Sequence, residues 1–164
     1  KPNSPNWVRG YLKTSIAILE RTQTMFDIPV EPYHFEVIQD HRDYKMAIEK
    51  SSIQAKTLSL KEKEYPVVQA WIHTQYPEPY YEQENRQTGE NELVFSQWQL
   101  SYFSCADKTD AIATMKFYGK DGKLINEFVP RIDSLNNFSK IRAETVGEIQ
   151  LDTVCRLFEK QAGY

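Results

Sequence analysis

The middle of the chain, from Tyr65 to Val129, alternates apolar and polar side chains, and this pattern constrains the fold more than any other feature of the sequence. Successive residues of a strand point to opposite faces, whereas a helix repeats every ~3.6 residues. On each side of this region the apolar residues recur with the helical period instead. The sequence therefore predicts an α+β fold, in which a curved antiparallel sheet is flanked by an N-terminal and a C-terminal amphipathic helix.

The N-terminal helix is predicted to begin at Ser4-Pro5. Serine is a favoured N-cap residue, and proline is tolerated in the first turn because its missing N–H would have no partner there. Pro29 and Pro32 end the helical pattern, since proline removes a backbone donor and fixes φ. The apolar positions of this helix are mostly three or four residues apart: Val8, Leu12, Ile16, Leu19 and Phe26.

The C-terminal helix is predicted to begin at Thr145, whose hydroxyl and the Glu148 carboxylate have the spacing of a capping box. In that motif each side chain accepts a hydrogen bond from the backbone N–H of the other residue. Gly163 is predicted to close the helix. One apolar stripe follows the cap: Leu151, Val154, Cys155, Phe158 and Ala162.

Several segments of the middle region are predicted strands, and the last two form a hairpin. The predicted strands are 33–38, 66–73, 93–103, 111–118 and 123–129. Gly119 and Gly122 flank the turn at Lys120-Asp121, and Asp-Gly between alternating segments is a strong hairpin signal. Segment 44–60 fits either a helix or two strands. Strands are favoured there because Ser51-Ser52 interrupts the helical face.

The two faces of strand 93–103 differ in polarity. One face carries the aromatic and apolar residues Trp98, Leu100 and Tyr102, and the other carries the polar residues Gln97, Gln99 and Ser101. A polar opposite face predicts an antiparallel sheet with only one face packed. The order of helix, antiparallel strands and helix resembles, at the level of architecture, the cone-shaped folds of nuclear-transport-factor-like (NTF2-like) and cystatin-like domains. Such folds host enzymes, ligand binders and assembly subunits, so the resemblance implies a fold and not a function.

Length and charge exclude several classes of protein. A chain of 164 residues fits one domain spanning 1–164. A formal net charge of −3, without a run of lysine or arginine, gives no electrostatic footprint for nucleic acid. No segment reaches the ~20 apolar residues of a membrane span. Because the chain begins at Lys1, we expect that an upstream segment, such as an anchor, was removed.

The two cysteines, Cys105 and Cys155, lie far apart in the sequence and form no CxxC motif or Cys/His cluster. We expect two buried free thiols, since free cysteine behaves as a small apolar residue. The alternative is a disulfide that ties the last helix to a strand. That bond requires Cα atoms within about 7 Å of each other.

The chain carries no motif for a cofactor, a metal or a nucleophile. Its six glycines, two of them in the hairpin, leave no glycine-rich phosphate loop, and no GxSxG elbow occurs. His34 and Glu36 share a strand face and His41 lies in a charged turn, but a metal site needs three or four converging ligands. We therefore predict no cofactor and no metal, and we interpret His34 and His41 as surface residues.

Prolines and tyrosines mark a candidate contact loop between two predicted strands. The prolines favour an extended backbone, and the tyrosines offer rigid contact area at low entropic cost. The alternative is a stiff connector whose tyrosines pack on the domain's own sheet. A polar stretch follows as far as Asn91, and loops of this length are usually functional or disordered. The predicted partner-binding residues are Tyr76, Pro77, Pro79, Tyr80 and Tyr81.

These patterns favour a soluble, non-enzymatic protein-interaction or assembly domain whose partner is a protein. The alternative is a pocket between the sheet and a helix that binds an aromatic or apolar small molecule. A third hypothesis is a small hydrolase or isomerase that uses His73 as an acid or base at the mouth of this pocket. The residues predicted to line the pocket are Trp71, His73, Trp98, Tyr102 and Phe117.

Overall fold

The structure, a computed structural model, describes residues 28–163. Within this range nine strands precede one α-helix, and a short 3₁₀ turn covers Leu135–Asn137. The elements are β1 (Phe35–Asp40), β2 (Lys45–Ser59), β3 (Glu64–Gln75), β4 (Glu82–Glu84), β5 (Asn91–Leu93), β6 (Ser96–Ser104), β7 (Thr109–Tyr118), β8 (Leu124–Phe128), β9 (Ser139–Lys140) and α1 (Val146–Gln161).

Seven of the described strands form one curved antiparallel sheet in the order β1-β2-β3-β6-β7-β8, with β9 beside β7. The predicted antiparallel pairing is therefore confirmed, and so is the hairpin between β7 and β8. Gly122 adopts a φ of +76° in that turn, where a side chain would be strained. Strands β4 and β5 form a separate small hairpin.

Segment 44–60 is a strand, as the sequence favoured, and Ser51-Ser52 interrupts its register rather than ending it. The pairing of β2 with β3 shifts between Glu49 and Gln54. At this bulge the Ser52 hydroxyl donates to the Glu49 carbonyl oxygen at 2.6 Å and accepts from the Trp71 backbone N–H at 2.8 Å. A side chain thus replaces a missing partner in the ladder, and one long strand continues through the irregularity.

The C-terminal helix packs on one face of the sheet, which we call the helix face. The Thr145 hydroxyl accepts from the Glu148 N–H at 3.3 Å, which confirms half of the predicted capping box. The Glu148 carboxylate accepts from the Glu144 N–H at 3.1 Å instead of from the N-cap residue. Gly163, with a φ of +83°, follows the helix end as predicted. The core on this face comprises Ile48, Ile53, Val68, Ala70, Ile72, Phe103, Leu151, Val154 and Leu157.

The predicted N-terminal helix, beginning at Ser4-Pro5, lies outside the described residues and stays a prediction. The assignment of residues 1–164 to one domain also stays a prediction.

The expectation of two free thiols is wrong. Cys105 and Cys155 form a disulfide with a Cα–Cα distance of 6.0 Å. Cys105 lies in the turn after β6, and Cys155 lies in α1 where the helix crosses the end of that strand. The bond ties the turn to the helix, and folding rather than sequence spacing brings the two residues together, since 50 positions separate them.

The prediction that only one face of the sheet is packed is also wrong. Gln97, Gln99 and Ser101 point to the helix face and are buried. The Gln99 amide donates to the Ser101 hydroxyl at 2.6 Å, so polar groups pair inside the interior. Polarity did not mean exposure there, because buried polar groups are tolerated when they are hydrogen-bonded. The opposite face, which we call the tryptophan face, buries Leu60, Tyr65, Val67, Trp71, Trp98, Leu100, Tyr102 and Ala113.

Candidate functional site

The predicted contact loop leads from β3 into the β4–β5 hairpin, and its three tyrosines pack against one another. The Tyr76 ring lies 5.4 Å from the Tyr80 ring and 5.3 Å from the Tyr81 ring, both edge to face. Tyr76 is buried with Val94 and Ile125. Tyr80 is 63% exposed, so the three rings form a cluster with a buried base and one displayed member.

Hydrogen bonds close the loop where it leaves the sheet. The Tyr76 N–H donates to the Phe95 carbonyl at 2.9 Å, and the Val94 N–H donates to the Tyr81 carbonyl at 3.0 Å. The Tyr81 hydroxyl donates to the Gln97 side-chain oxygen at 2.5 Å. Burial raises the pKa of both Tyr76 and Tyr81, so their hydroxyls stay protonated. The loop is therefore anchored to the helix face on both sides of Tyr80.

The β4–β5 hairpin extends this surface, and we call residues 76–93 the tyrosine–proline hairpin. The Asn85 amide donates to the Glu92 carboxylate at 2.6 Å, and its oxygen accepts from the Gln87 N–H at 2.9 Å. Gly89 supplies the positive φ, +76°, that the turn requires. Sequence reasoning missed this hairpin, although Thr88-Gly89 in a polar stretch is a turn signal.

The tyrosine–proline hairpin is strongly negatively charged, a feature that sequence reasoning also missed. Five of its residues are glutamate and one, Arg86, is basic. Four of the glutamates are exposed and the fifth, Glu92, is half-buried. An acidic surface surrounding displayed aromatic rings attracts positively charged partners. The glutamates are Glu78, Glu82, Glu84, Glu90 and Glu92.

On the tryptophan face, three of the predicted pocket residues form a packed aromatic cluster. The Trp98 ring lies 6.2 Å from the Trp71 ring and 4.4 Å from the His73 ring. Phe35 covers His73 at 5.7 Å. Burial lowers the pKa of His73 to about 4, so this imidazole is uncharged at neutral pH. The Phe35 ring also lies 5.9 Å from the Trp98 ring, so these aromatic rings contact one another on this face.

The remaining two predicted pocket residues lie elsewhere. Tyr102 is buried on the tryptophan face, and its hydroxyl lies 3.4 Å from the Lys56 ammonium group. Phe117 pairs with Gln97 and packs 6.4 Å from the Tyr81 ring, on the helix face. The structure thus does not bring Trp71, His73, Trp98, Tyr102 and Phe117 together around one cavity. The register shift in β7 is one reason, because it changes which residues share a face.

A family model described as surface-adhesin protein E matches residues 35–156. This chain belongs to that family. The match runs from β1 into α1 and includes the whole tyrosine–proline hairpin. The searches of curated proteins and of solved structures found no match. Membership makes the chain a surface-adhesin family protein, a class whose role is binding at surfaces.

In this adhesin-family domain His34 contacts a different carboxylate from the one that the sequence suggested, whereas His41 stays beside an acidic residue of its own charged turn. The His34 ring lies 3.9 Å from Glu49 rather than beside Glu36, and His41 lies 3.6 Å from Asp43. Both rings are more than half exposed. Within residues 28–163, no three histidine, cysteine or acidic side chains come close enough together to hold a metal ion.

Glu49 is a buried carboxylate with a structural role in this domain. Only 1% of its side chain is exposed. Both of its oxygens accept the His34 backbone N–H at 2.9 Å, and one also accepts the Ser51 hydroxyl at 3.0 Å. Glu49 therefore fastens the segment before β1 to the bulge in β2.

Within the described part of the chain, no helix has the length and apolar character that a membrane span requires.

Proposed function

We propose that this domain is the binding domain of a surface adhesin and that it contacts a protein partner through the tyrosine–proline hairpin. The family match supports a binding role at a surface. Tyr80 carries the proposal, because its ring is 63% exposed while the two rings beneath it are packed against the sheet. Pro77 and Glu78 beside it are exposed as well.

An exposed tyrosine on an anchored base suits protein recognition. Tyrosine provides a large contact area with few rotatable bonds, so little conformational entropy is lost when it binds. Interface residues of this kind commonly contribute more than ~2 kcal/mol when a partner pocket encloses them. The hydrogen bonds from Tyr76 and Tyr81 fix the position of Tyr80 before the partner arrives.

The partner is expected to present a basic surface to the hairpin. The excess of glutamate around Tyr80 gives this surface a negative potential. Complementary charge accelerates association and makes it sensitive to salt. Replacing Glu82 and Glu84 by glutamine should flatten the salt dependence of binding. The matched control replaces the exposed Glu144 and Glu159, near the two ends of α1, by glutamine and should leave it unchanged.

The proposal is tested with beads that carry the purified domain and are applied to cultured epithelial cells. Wild-type beads should adhere, and trypsin treatment of the cells should abolish adhesion because the partner is a protein. Tyr80→Ala should reduce adhesion by about tenfold or more. Phe128→Ala removes another aromatic side chain, 55% exposed on β8, and should adhere like the wild type.

Three results would contradict the proposal. They are no adhesion of wild-type beads, adhesion that survives trypsin, and equal losses for Tyr80→Ala and Phe128→Ala. Thermal unfolding of each variant is measured alongside, so that a loss of folding is not mistaken for a loss of contact.

A further inference from the structure

A second candidate site lies on the tryptophan face, opposite the tyrosine–proline hairpin. A cavity of ≈ 330 Å³ opens between the segment that precedes β1, the bulge in β2 and the middle of β3. Its volume falls in the range of small-molecule sites, roughly 300–1,000 Å³. The residues that line it include Ile28, Pro29, Ser51, Gln54, Gln69 and Trp71.

The side chain of Gln69 is the feature of this cavity that points to a ligand. The residue is only 8% exposed, and it lines this cavity. Among residues 28–163 its amide has no hydrogen-bond partner. The other buried glutamines are all engaged: Gln97 with Tyr81, Gln99 with Ser101 and Gln150 with the Met46 sulfur. The amide atoms of Gln69 still reach the accessible space of the cavity, since the buried side-chain atom that lacks a partner in residues 28–163 is the Thr114 hydroxyl oxygen. The hydrogen-bonding capacity of Gln69 therefore faces the cavity and is available to a ligand.

The walls of the cavity define the chemistry of that molecule. Among residues 28–163 no charged side chain lines it, so a phosphate, carboxylate or ammonium group would find no counter-charge there. Gln54 and Ser51 add neutral polar groups beside Gln69, while Ile28, Pro29 and the Trp71 indole add apolar surface. A matching ligand is neutral, carries several hydroxyl groups and also presents an apolar face of C–H groups.

We propose that this cavity binds one sugar ring of a neutral glycan. The Gln69 amide donates to one ring hydroxyl and accepts from another, and Gln54 reaches a further hydroxyl. The C–H face of the ring lies against Ile28, Pro29 and the part of Trp71 that lines the cavity. A purely aliphatic ligand would leave the Gln69 amide unpaired, so the unpaired amide favours the sugar.

The site is tested by NMR titration of the ¹⁵N-labelled domain with the methyl glycosides of glucose, galactose and N-acetylglucosamine. At least one should produce saturable shifts of the Gln69 side-chain amide and the Trp71 indole N–H. Gln69→Leu should weaken binding by about tenfold or more. Its melting temperature should be equal or higher, because the amide that it removes has no partner. Gln75→Leu, at the exposed end of the same strand, should bind like the wild type.

Four results would overturn the proposal. The first is the absence of saturable shifts with all three glycosides. The second is equal affinity in Gln69→Leu and wild type. The third is an equal response to glycerol, which would indicate an unspecific polyol effect. The fourth is tighter binding of a neutral peptide, acetyl-alanyl-asparagine amide, than of any sugar. Tyr80→Ala should leave the sugar shifts unchanged, so this test stands apart from the test of protein contact.

Discussion

The Tyr81 hydroxyl donates to the Gln97 side-chain oxygen at 2.5 Å, and this bond joins the tyrosine–proline hairpin to a central strand of the sheet. Gln97 is buried, so its oxygen has few other partners to accept from. Tyr81 therefore serves as an anchor, whereas its neighbour Tyr80 is displayed to solvent. Two adjacent residues of one chemical type have different roles because the chain fixes only one of them against the sheet.

We expect Tyr81→Phe to destabilise the domain by about 1–3 kcal/mol, because it leaves the Gln97 oxygen buried without a donor. Tyr80→Phe should change the free energy of unfolding by less than ~0.5 kcal/mol, since this exposed hydroxyl makes no hydrogen bond within residues 28–163. Urea unfolding of the two variants measures the difference. Equal stabilities would mean that the Tyr81 bond does not anchor the hairpin.

Substitutions at Tyr80 and Tyr81 should affect different properties, namely partner binding and the free energy of unfolding. Tyr80→Ala should leave the unfolding transition nearly unchanged and weaken binding to the partner. Tyr81→Ala should cost about 2–4 kcal/mol, since it removes a ring packed against Tyr76 and Phe117. Replacing both residues at once would mix these effects. A larger loss of stability from Tyr80→Ala than from Tyr81→Ala would reverse the roles that we assign.

The strands and the C-terminal helix were predictable where a period-two or period-3.6 pattern ran without interruption. Strand β2 was harder to assign because the bulge between Glu49 and Gln54 changes the face of every residue after it. The polar face of β6 misled the prediction of exposure, since Gln97 and Gln99 are buried with hydrogen-bond partners. Periodicity reports which residues share a face, but not what covers that face.

The candidate sites depended more on contacts between distant residues. The Tyr/Pro spacing predicts a contact loop, yet it could not show which tyrosine faces the solvent. The disulfide and the cavity at Gln69 arise from segments that are distant in sequence, so no local pattern announces them. Trp71 and Trp98 lie on one face, and the Phe35 ring packs beside Trp98 and His73 on that face, a contact between strands that no local pattern shows.

Removal of the disulfide should destabilise the domain by about 4 kcal/mol. The bond closes a loop of 50 residues, and in the chain-entropy model its loss releases that constraint on the unfolded state. The double substitution Cys105→Ser and Cys155→Ser is compared with the wild type by guanidinium unfolding. The wild type in reductant serves as a second measurement. A loss below ~1 kcal/mol in both would show that packing of α1 alone holds the helix in place.

Glu49→Gln should destabilise the domain by about 2–4 kcal/mol. The substitution keeps the shape of the side chain but replaces one acceptor oxygen by a donor that faces the His34 N–H and the Ser51 hydroxyl. Glu36, on the neighbouring edge strand, has no such partners in the part of the chain that the structure describes, so Glu36→Gln should cost less than ~0.5 kcal/mol. Thermal unfolding at neutral pH compares the two. Similar melting temperatures would show that the Glu49 carboxylate does not fasten the segment before β1.

His73 should make the domain less stable as the pH falls from about 6.5 to about 4. Burial between Phe35 and Trp98 lowers its pKa, so the folded state keeps the imidazole neutral while the unfolded state takes up a proton below pH ~6.5. The unfolded state then binds more protons, and stability falls with falling pH by an amount on the order of 2–3 kcal/mol. Stability is highest above the unfolded pKa, where neither state is protonated at this residue.

The pH dependence is tested by urea unfolding of the wild type and His73→Gln at several values between pH 4 and 7. Glutamine does not titrate, so the wild type should lose stability relative to His73→Gln as the pH falls from about 6.5 to about 4. Changes from carboxylates, including Asp110, whose pKa burial raises, are common to both proteins and cancel. His41→Gln, at a histidine that is 55% exposed, serves as the control for loss of an imidazole outside the aromatic cluster. If His73→Gln runs parallel to the wild type throughout this window, the imidazole is protonated in the folded state, and the packed aromatic cluster does not hold it neutral.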